Sequence, residues 1–119
     1  MVNKRSYERG FGGYMRIKRS ISYRDNGTIR CEWWHKEGDE YYYNKEDGPA
    51  YTWYYDTGEK KHEEWWVADK LHKLDGPACI NYNKDGTIDK EWYCINGEEL
   101  SKEQWEDYII KEAMKEALE

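Results

Sequence analysis

The chain has 119 residues, 37% charged and 38% hydrophobic, with a net charge of −6. That length supports a single domain with a modest core, and the absence of any run near the roughly 18 apolar residues of a membrane span excludes a spanning helix. Seven Trp and twelve Tyr stand against one Phe, so the core must be built from amphipathic rings, each wanting a partner for its N–H or O–H.

The charge is unevenly placed. Residues 1–30 carry eight basic and two acidic residues and all six arginines, whereas residues 31–119 have a net charge of −12. Such asymmetry marks a basic arm for an anionic partner, or one that docks on the chain's own acidic part. The opening "MVNKRSYERGFGGYMRIKR" is basic without an apolar h-region, which predicts no signal peptide. Cys31, Cys79 and Cys94 are odd in number and lack a C-x-x-C spacing, which predicts free buried thiols in a reducing, cytoplasmic setting.

In chain order, residues 1–13 read as a basic, glycine-containing N-terminal arm, with "RGFGGY" as a tail or loop. "YMRIKRSISYR" then alternates, with Met15, Ile17, Ile21 and Tyr23 on one parity and Arg16, Lys18, Ser20 and Ser22 on the other. This predicts a half-buried strand with a basic outer face. From Ile21 the chain repeats. Gly27, Gly58 and Gly86 align, as do Tyr23, Tyr54 and Tyr82, and "EDGPA" recurs as "LDGPA" 28 residues later. The pairs Trp33-Trp34, Trp65-Trp66 and Trp92-Tyr93 align if the second turn holds one inserted residue. Each unit reads as an aromatic strand, a glycine turn and a second strand, with Asp-Gly-Pro-Ala as the corner into the next unit. Ser101 followed by Gln104 is a capping box, and Trp105, Tyr108, Ile109, Ala113 and Met114 fall at helical spacing. They predict a helix from about 102 to 117 that packs across the sheet end and closes the core. The fold class expected is mainly β: an antiparallel β-hairpin repeat array of about three units over residues 14–100, with one capping helix over residues 101–119.

The segment "LHKLDGPACINYNKDGTIDKEWYCINGEELSKEQW" resembles a degenerate repeat of large bacteriophages and giant viruses, similar to the divergent MORN-like repeats also found in some bacterial antitoxins. The resemblance spans about residues 20–105 and is strongest in the last two units; Asn44 and Ser101 stand where the second unit has His72. It implies a β-hairpin array of phage origin and no catalytic residues.

No residue pattern here carries enzyme chemistry. His72 with Asp75 has no counterpart in the other units, and Cys31 with His35 lacks a second pair to complete four metal ligands. No phosphate loop opens a helix. The expectation is therefore a non-enzymatic chain with no catalytic residues, no metal and no cofactor. Alternation places Trp34, Trp66 and Tyr93, with Glu32, Glu64 and Glu91, on an outer face as an aromatic and carboxylate stripe, the kind of surface that carries interface hot spots. The reading that follows is a protein binder, a phage-encoded inhibitor of a host protein such as a defence effector, with a basic or nucleic-acid-binding partner that the acidic surface steers in. The alternatives are a small-molecule binder that sequesters a nucleotide, with Arg16, Lys18, Arg19 and Arg24 on its phosphates, and a nucleic-acid-binding accessory, the weakest because the acidic remainder repels phosphates. No membrane partner is expected, and a homo-oligomer is compatible with all three.

Overall fold

A computed structural model describes residues 6–10 and 13–118, with side chains from Arg16 onward. The remaining positions of the expected basic arm lie outside the described residues. The chain is mainly β, with strands β1 (Ser6–Gly10), β2 (Gly13–Tyr23), β3 (Ile29–Lys36), β4 (Asp39–Tyr43), β5 (Tyr51–Tyr54), β6 (Lys60–Glu64), β7 (Trp66–Val67), β8 (Lys70–Leu71), β9 (Cys79–Tyr82), β10 (Ile88–Ile95) and β11 (Glu98–Leu100), followed by helix α1 (Lys102–Leu118). One antiparallel sheet runs β1-β2-β3-β5-β6-β9-β10-β11, with β4 beside β3, and β7 and β8 form a separate hairpin. Part of the glycine-rich segment read as a loop is thus strand, because Ser6–Gly10 pairs with β2.

Three hairpins share one turn. Gly27, Gly58 and Gly86 donate to the carbonyls of Arg24, Tyr55 and Asn83, and those residues' own N–H groups bond Thr28, Glu59 and Thr87. Each glycine has φ near +90°, the left-handed position that closes a three-residue hairpin loop and favours glycine. All three turns have the same length, so the second contains no inserted residue. The alignment of the tryptophan pairs is corrected accordingly. Trp65, and not Trp66, corresponds to Trp34 and Tyr93, and Glu63 to Glu32 and Glu91. The ladder agrees: Trp34 N–H bonds the Ala50 carbonyl and Trp65 N–H the Ala78 carbonyl.

The two Asp-Gly-Pro-Ala corners are built alike. Ala50 and Ala78 are 0% exposed; their N–H groups bond the carbonyls of Glu64 and Trp92. The lysine opening each corner returns over the preceding tryptophan, Lys45 Nζ lying 4.4 Å from the Trp34 ring centre and Lys73 Nζ 3.8 Å from that of Trp65. These are cation–π distances. A Cβ on Gly48 or Gly76 would meet the same ammonium groups at 3.2 and 3.4 Å, the flexible ends of the two lysines, which a few tenths of an ångström of movement would clear.

Asn44, His72 and Ser101 share a task. Asn44 Oδ1 accepts the Ala68 N–H, His72 Nδ1 accepts the Asn96 N–H, and Ser101 Oγ accepts the Gln104 N–H. The first two brace two-residue hairpin turns whose leading residues, Ala68 and Asn96, have positive φ; the third caps α1, and Gln104 Oε1 reciprocates on Ser101 N–H. His72 is therefore a backbone acceptor, and its burial pushes its pKa below the usual histidine value. A neutral ring is the bonded form, so its stabilisation is complete above the ordinary histidine pKa and is lost as pH falls through the lowered one. Urea stability compared between the native chain and His72→Asn should show the native chain losing about 1 kcal/mol relative to the variant from pH 7.5 down to 5, because the amide oxygen fills the same role in Asn44 without titrating. The difference is the readout, since His62 titrates in the opposite sense in both chains.

The helix forms where the spacing predicts, but it does not close a core. Trp105 packs on Tyr93 with ring centres 4.9 Å apart and donates from Nε1 to the Lys73 carbonyl. No residue of α1 is buried; Trp105, Tyr108 and Ile109 are half-buried, and Ala113 and Met114 are exposed. A 17-residue helix is about 25 Å long, whereas the strand it follows has three residues.

Candidate functional site

Strand register sorts the side chains, since residues directly opposite each other share a face. One face carries the row Glu32, Thr52, Glu63, Ile80 and Glu91. The repeated tyrosine of each later hairpin bonds the carboxylate before it: Tyr54 Oη donates to Glu32 at 2.9 Å and Tyr82 Oη to Glu63 at 2.5 Å. Burial, with the carboxylate bond next, pushes Tyr54 up to about 12 and raises Tyr82 further. Arg19 closes on Glu32 through Nε at 2.9 Å, and Lys60 reaches Glu63 at 3.1 Å. The carboxylates Glu32 and Glu63 thus act inside the fold; Glu91, in the last hairpin, is exposed.

The other face carries two rows, Ser20–Trp33–Tyr51–Glu64–Cys79–Trp92 and Ser22–Cys31–Trp53–His62–Asn81–Lys90. Trp33 stacks on Tyr51 at 6.0 Å and Tyr51 on Trp53 at 6.1 Å, while Tyr43 sets its edge against Tyr51 and Trp66 at 5.6 and 5.2 Å. Five rings therefore form one connected patch, all of them half-buried. The Tyr51 hydroxyl points to the Cys31 sulfur at 3.7 Å, and its burial raises its pKa above the usual tyrosine value.

Beside the rings lies a polar cluster. The His62 Nδ1–H donates to Asn81 Oδ1, Nε2 lies 2.7 Å from Glu64 Oε2 and 3.7 Å from Cys79 Sγ, and Trp66 Nε1 donates to Glu64 Oε1 at 2.8 Å. The Cys79 sulfur and then the Glu64 carboxylate push His62 up to about 10 against the effect of its burial. Burial opposes ionisation of Glu64, yet the bonds from His62 and Trp66 hold it below the usual carboxylate value. A cavity of about 420 Å³ opens next to the cluster, lined by Trp53, Tyr55, Lys61, His62, Asn81 and Tyr82 among others.

The stripe expected from sequence is not formed as one surface. Trp34 and Tyr93 lie on the carboxylate face under Lys45 and Trp105, and Trp66 is on the opposite side, against Tyr43 and Glu64. Glu64 likewise lies on the ring face, away from Glu32 and Glu91. The four cationic candidates are also separated. Arg16 and Lys18 share one parity of β2 while Arg19 has the other; Arg16 sits 3.6 Å from Glu37, and Arg24 bonds the carbonyls of Ile29 and Tyr54. No common phosphate site results from these four. Cys31 and His35 hold separate partners, since His35 bonds Ser20 Oγ and the Lys36 carbonyl. Tyr43, Tyr51, Trp53, His62, Cys79 and Asn81 carry no common signal in the sequence, because only the pairing of β3 with β4 and β5, and of β6 with β5 and β9, makes them neighbours.

No protein-family model, no curated protein and no solved structure matches this chain.

Proposed function

We propose that the chain is a non-catalytic binding protein that grips a protein partner with the face bearing Trp33, Tyr43, Tyr51, Trp53 and Trp66. The carrying observation is the connected ring patch itself. The molecule measures 54 × 41 × 19 Å, thin enough for one sheet with side chains on both faces, and α1 packs against Tyr93, which points to the other side. Half-buried Trp and Tyr are the residues that dominate interface hot spots, because a rigid ring buries much area at small entropic cost. The net charge of −12 over residues 31–119 favours a basic partner and fast, salt-sensitive association. The resemblance to phage repeats adds the reading that this partner is a host defence effector.

The test is equilibrium binding to the partner captured from bacterial lysate. Trp33→Ala combined with Trp53→Ala is expected to weaken binding by about 100-fold, a hot-spot loss of roughly 3 kcal/mol, while far-UV circular dichroism stays unchanged. Retained affinity in that folded variant would remove the reading. Raising salt should slow association and leave dissociation nearly constant.

A further inference from the structure

His62 and Glu64 alternate on β6 and so point the same way, and the register sets Asn81 opposite His62 and Cys79 opposite Glu64. One atom from each of His62, Glu64 and Cys79 falls within 4.8 Å of the others. We propose that His62 Nε2, Glu64 Oε2 and Cys79 Sγ are three ligands of a tetrahedral zinc-type cation whose fourth position is filled by water.

Three observations carry this. The donor set of imidazole, thiolate and carboxylate is one that zinc takes, and the sulfur selects against magnesium and calcium. The spacing fits: zinc bonds of about 2.0 Å to nitrogen and about 2.3 Å to sulfur put ligand atoms about 3.3–3.6 Å apart. The Nε2 to Sγ distance is already 3.7 Å, and Nε2 to Oε2, at 2.7 Å, needs to widen by about half an ångström. The outer contacts are in place as well. Asn81 Oδ1 takes the Nδ1–H of His62, which leaves Nε2 as the coordinating nitrogen, and Trp66 Nε1 holds Glu64 Oε1, which leaves Oε2. Metal-binding histidines and carboxylates are ordinarily oriented this way.

The exchange balances. Zinc replaces the proton on His62 Nε2 and the thiol proton of Cys79; both pass to solvent, and the cluster's total charge is unchanged. No redox partner is needed.

The full chain, stripped with chelator and kept reduced, is titrated with cobalt(II) and then with zinc alone. The expected result is a thiolate-to-cobalt charge-transfer band and strong visible d–d bands that saturate at one equivalent and are bleached by zinc. Cys79→Ser should lose the charge-transfer band while Cys31 and Cys94 remain, so adventitious thiol binding would survive that change. Asn81→Ala should weaken zinc about tenfold by freeing the imidazole, and it serves as the second variant if Cys79→Ser fails to fold. No charge-transfer band in the native chain, or one of equal strength in folded Cys79→Ser, overturns the proposal; so does unchanged zinc affinity in folded Asn81→Ala.

Discussion

Replacing Glu63 by alanine is expected to cost about 3 kcal/mol, much of the stability of a domain of this size. Glu63 is 3% exposed, and its carboxylate receives both the Tyr82 hydroxyl and the Lys60 ammonium. Removal leaves the Tyr82 hydroxyl without its acceptor between two hairpins, and a buried donor without a partner costs about 1–3 kcal/mol alone. It also removes the packing of the side-chain stem between Thr52 and Ile80, its neighbours in the ladder. The exposed half of the Lys60 pair adds little. Glu63→Gln keeps the stem and an acceptor oxygen, so it should recover more than half of the loss in urea unfolding. The equivalent change at the exposed Glu91 should cost under about 0.5 kcal/mol, as surface substitutions generally do. Equal losses at the two positions would show that the tyrosine–carboxylate bond is not what joins successive hairpins.

Ala78→Leu should be nearly as damaging, at about 2–3 kcal/mol, by overpacking. Ala78 is 0% exposed, and its backbone joins Trp65 on one side to Trp92 on the other. Added methylenes have nowhere to go unless one of those bonds lengthens. The same substitution at Ala50 acts on Trp34 and Glu64, and the two losses should not add, since Ala50 and Ala78 both hydrogen-bond the single peptide unit between Glu64 and Trp65. Ala78→Gly, which adds no volume, should cost only about 1 kcal/mol. A small effect of leucine at both corners would mean that the corners are looser than the hydrogen bonds require.

Much of the fold is legible in the residues themselves. The glycine turns, the proline corners and the capping box are local devices, and each lies where its chemistry put it. The helix boundaries follow from Ser101 and the spacing beyond it. The faces are less legible, because a one-residue slip exchanges the two sides of a strand. Assuming an insertion in the second turn transferred Trp66 and Glu64 to the wrong surface, and the three identical turn bonds remove that assumption. Trp65 is the better partner for Trp34 on one local sign, the equal spacing of seven residues from the turn glycine: Gly27 to Trp34, Gly58 to Trp65 and Gly86 to Tyr93. The helix misleads for another reason: an apolar spacing shows which side could be buried, and only the short β11 decides how much sheet is there to bury it. The His62, Glu64 and Cys79 cluster needed strand pairing, since His62 and Glu64 are near in sequence but Cys79 comes from a strand one corner later.

The ring face as the binding surface is tested most directly by two neighbouring residues. Lys90 and Glu91 are both exposed and adjacent on β10, yet Lys90 stands in the row of Trp53 and His62 while Glu91 stands in the row of Glu63. A photo-crosslinking residue placed at position 90 should capture the partner, and the same group at position 91 should not. Capture at position 91 without capture at position 90 would place the partner on the carboxylate face and contradict the account.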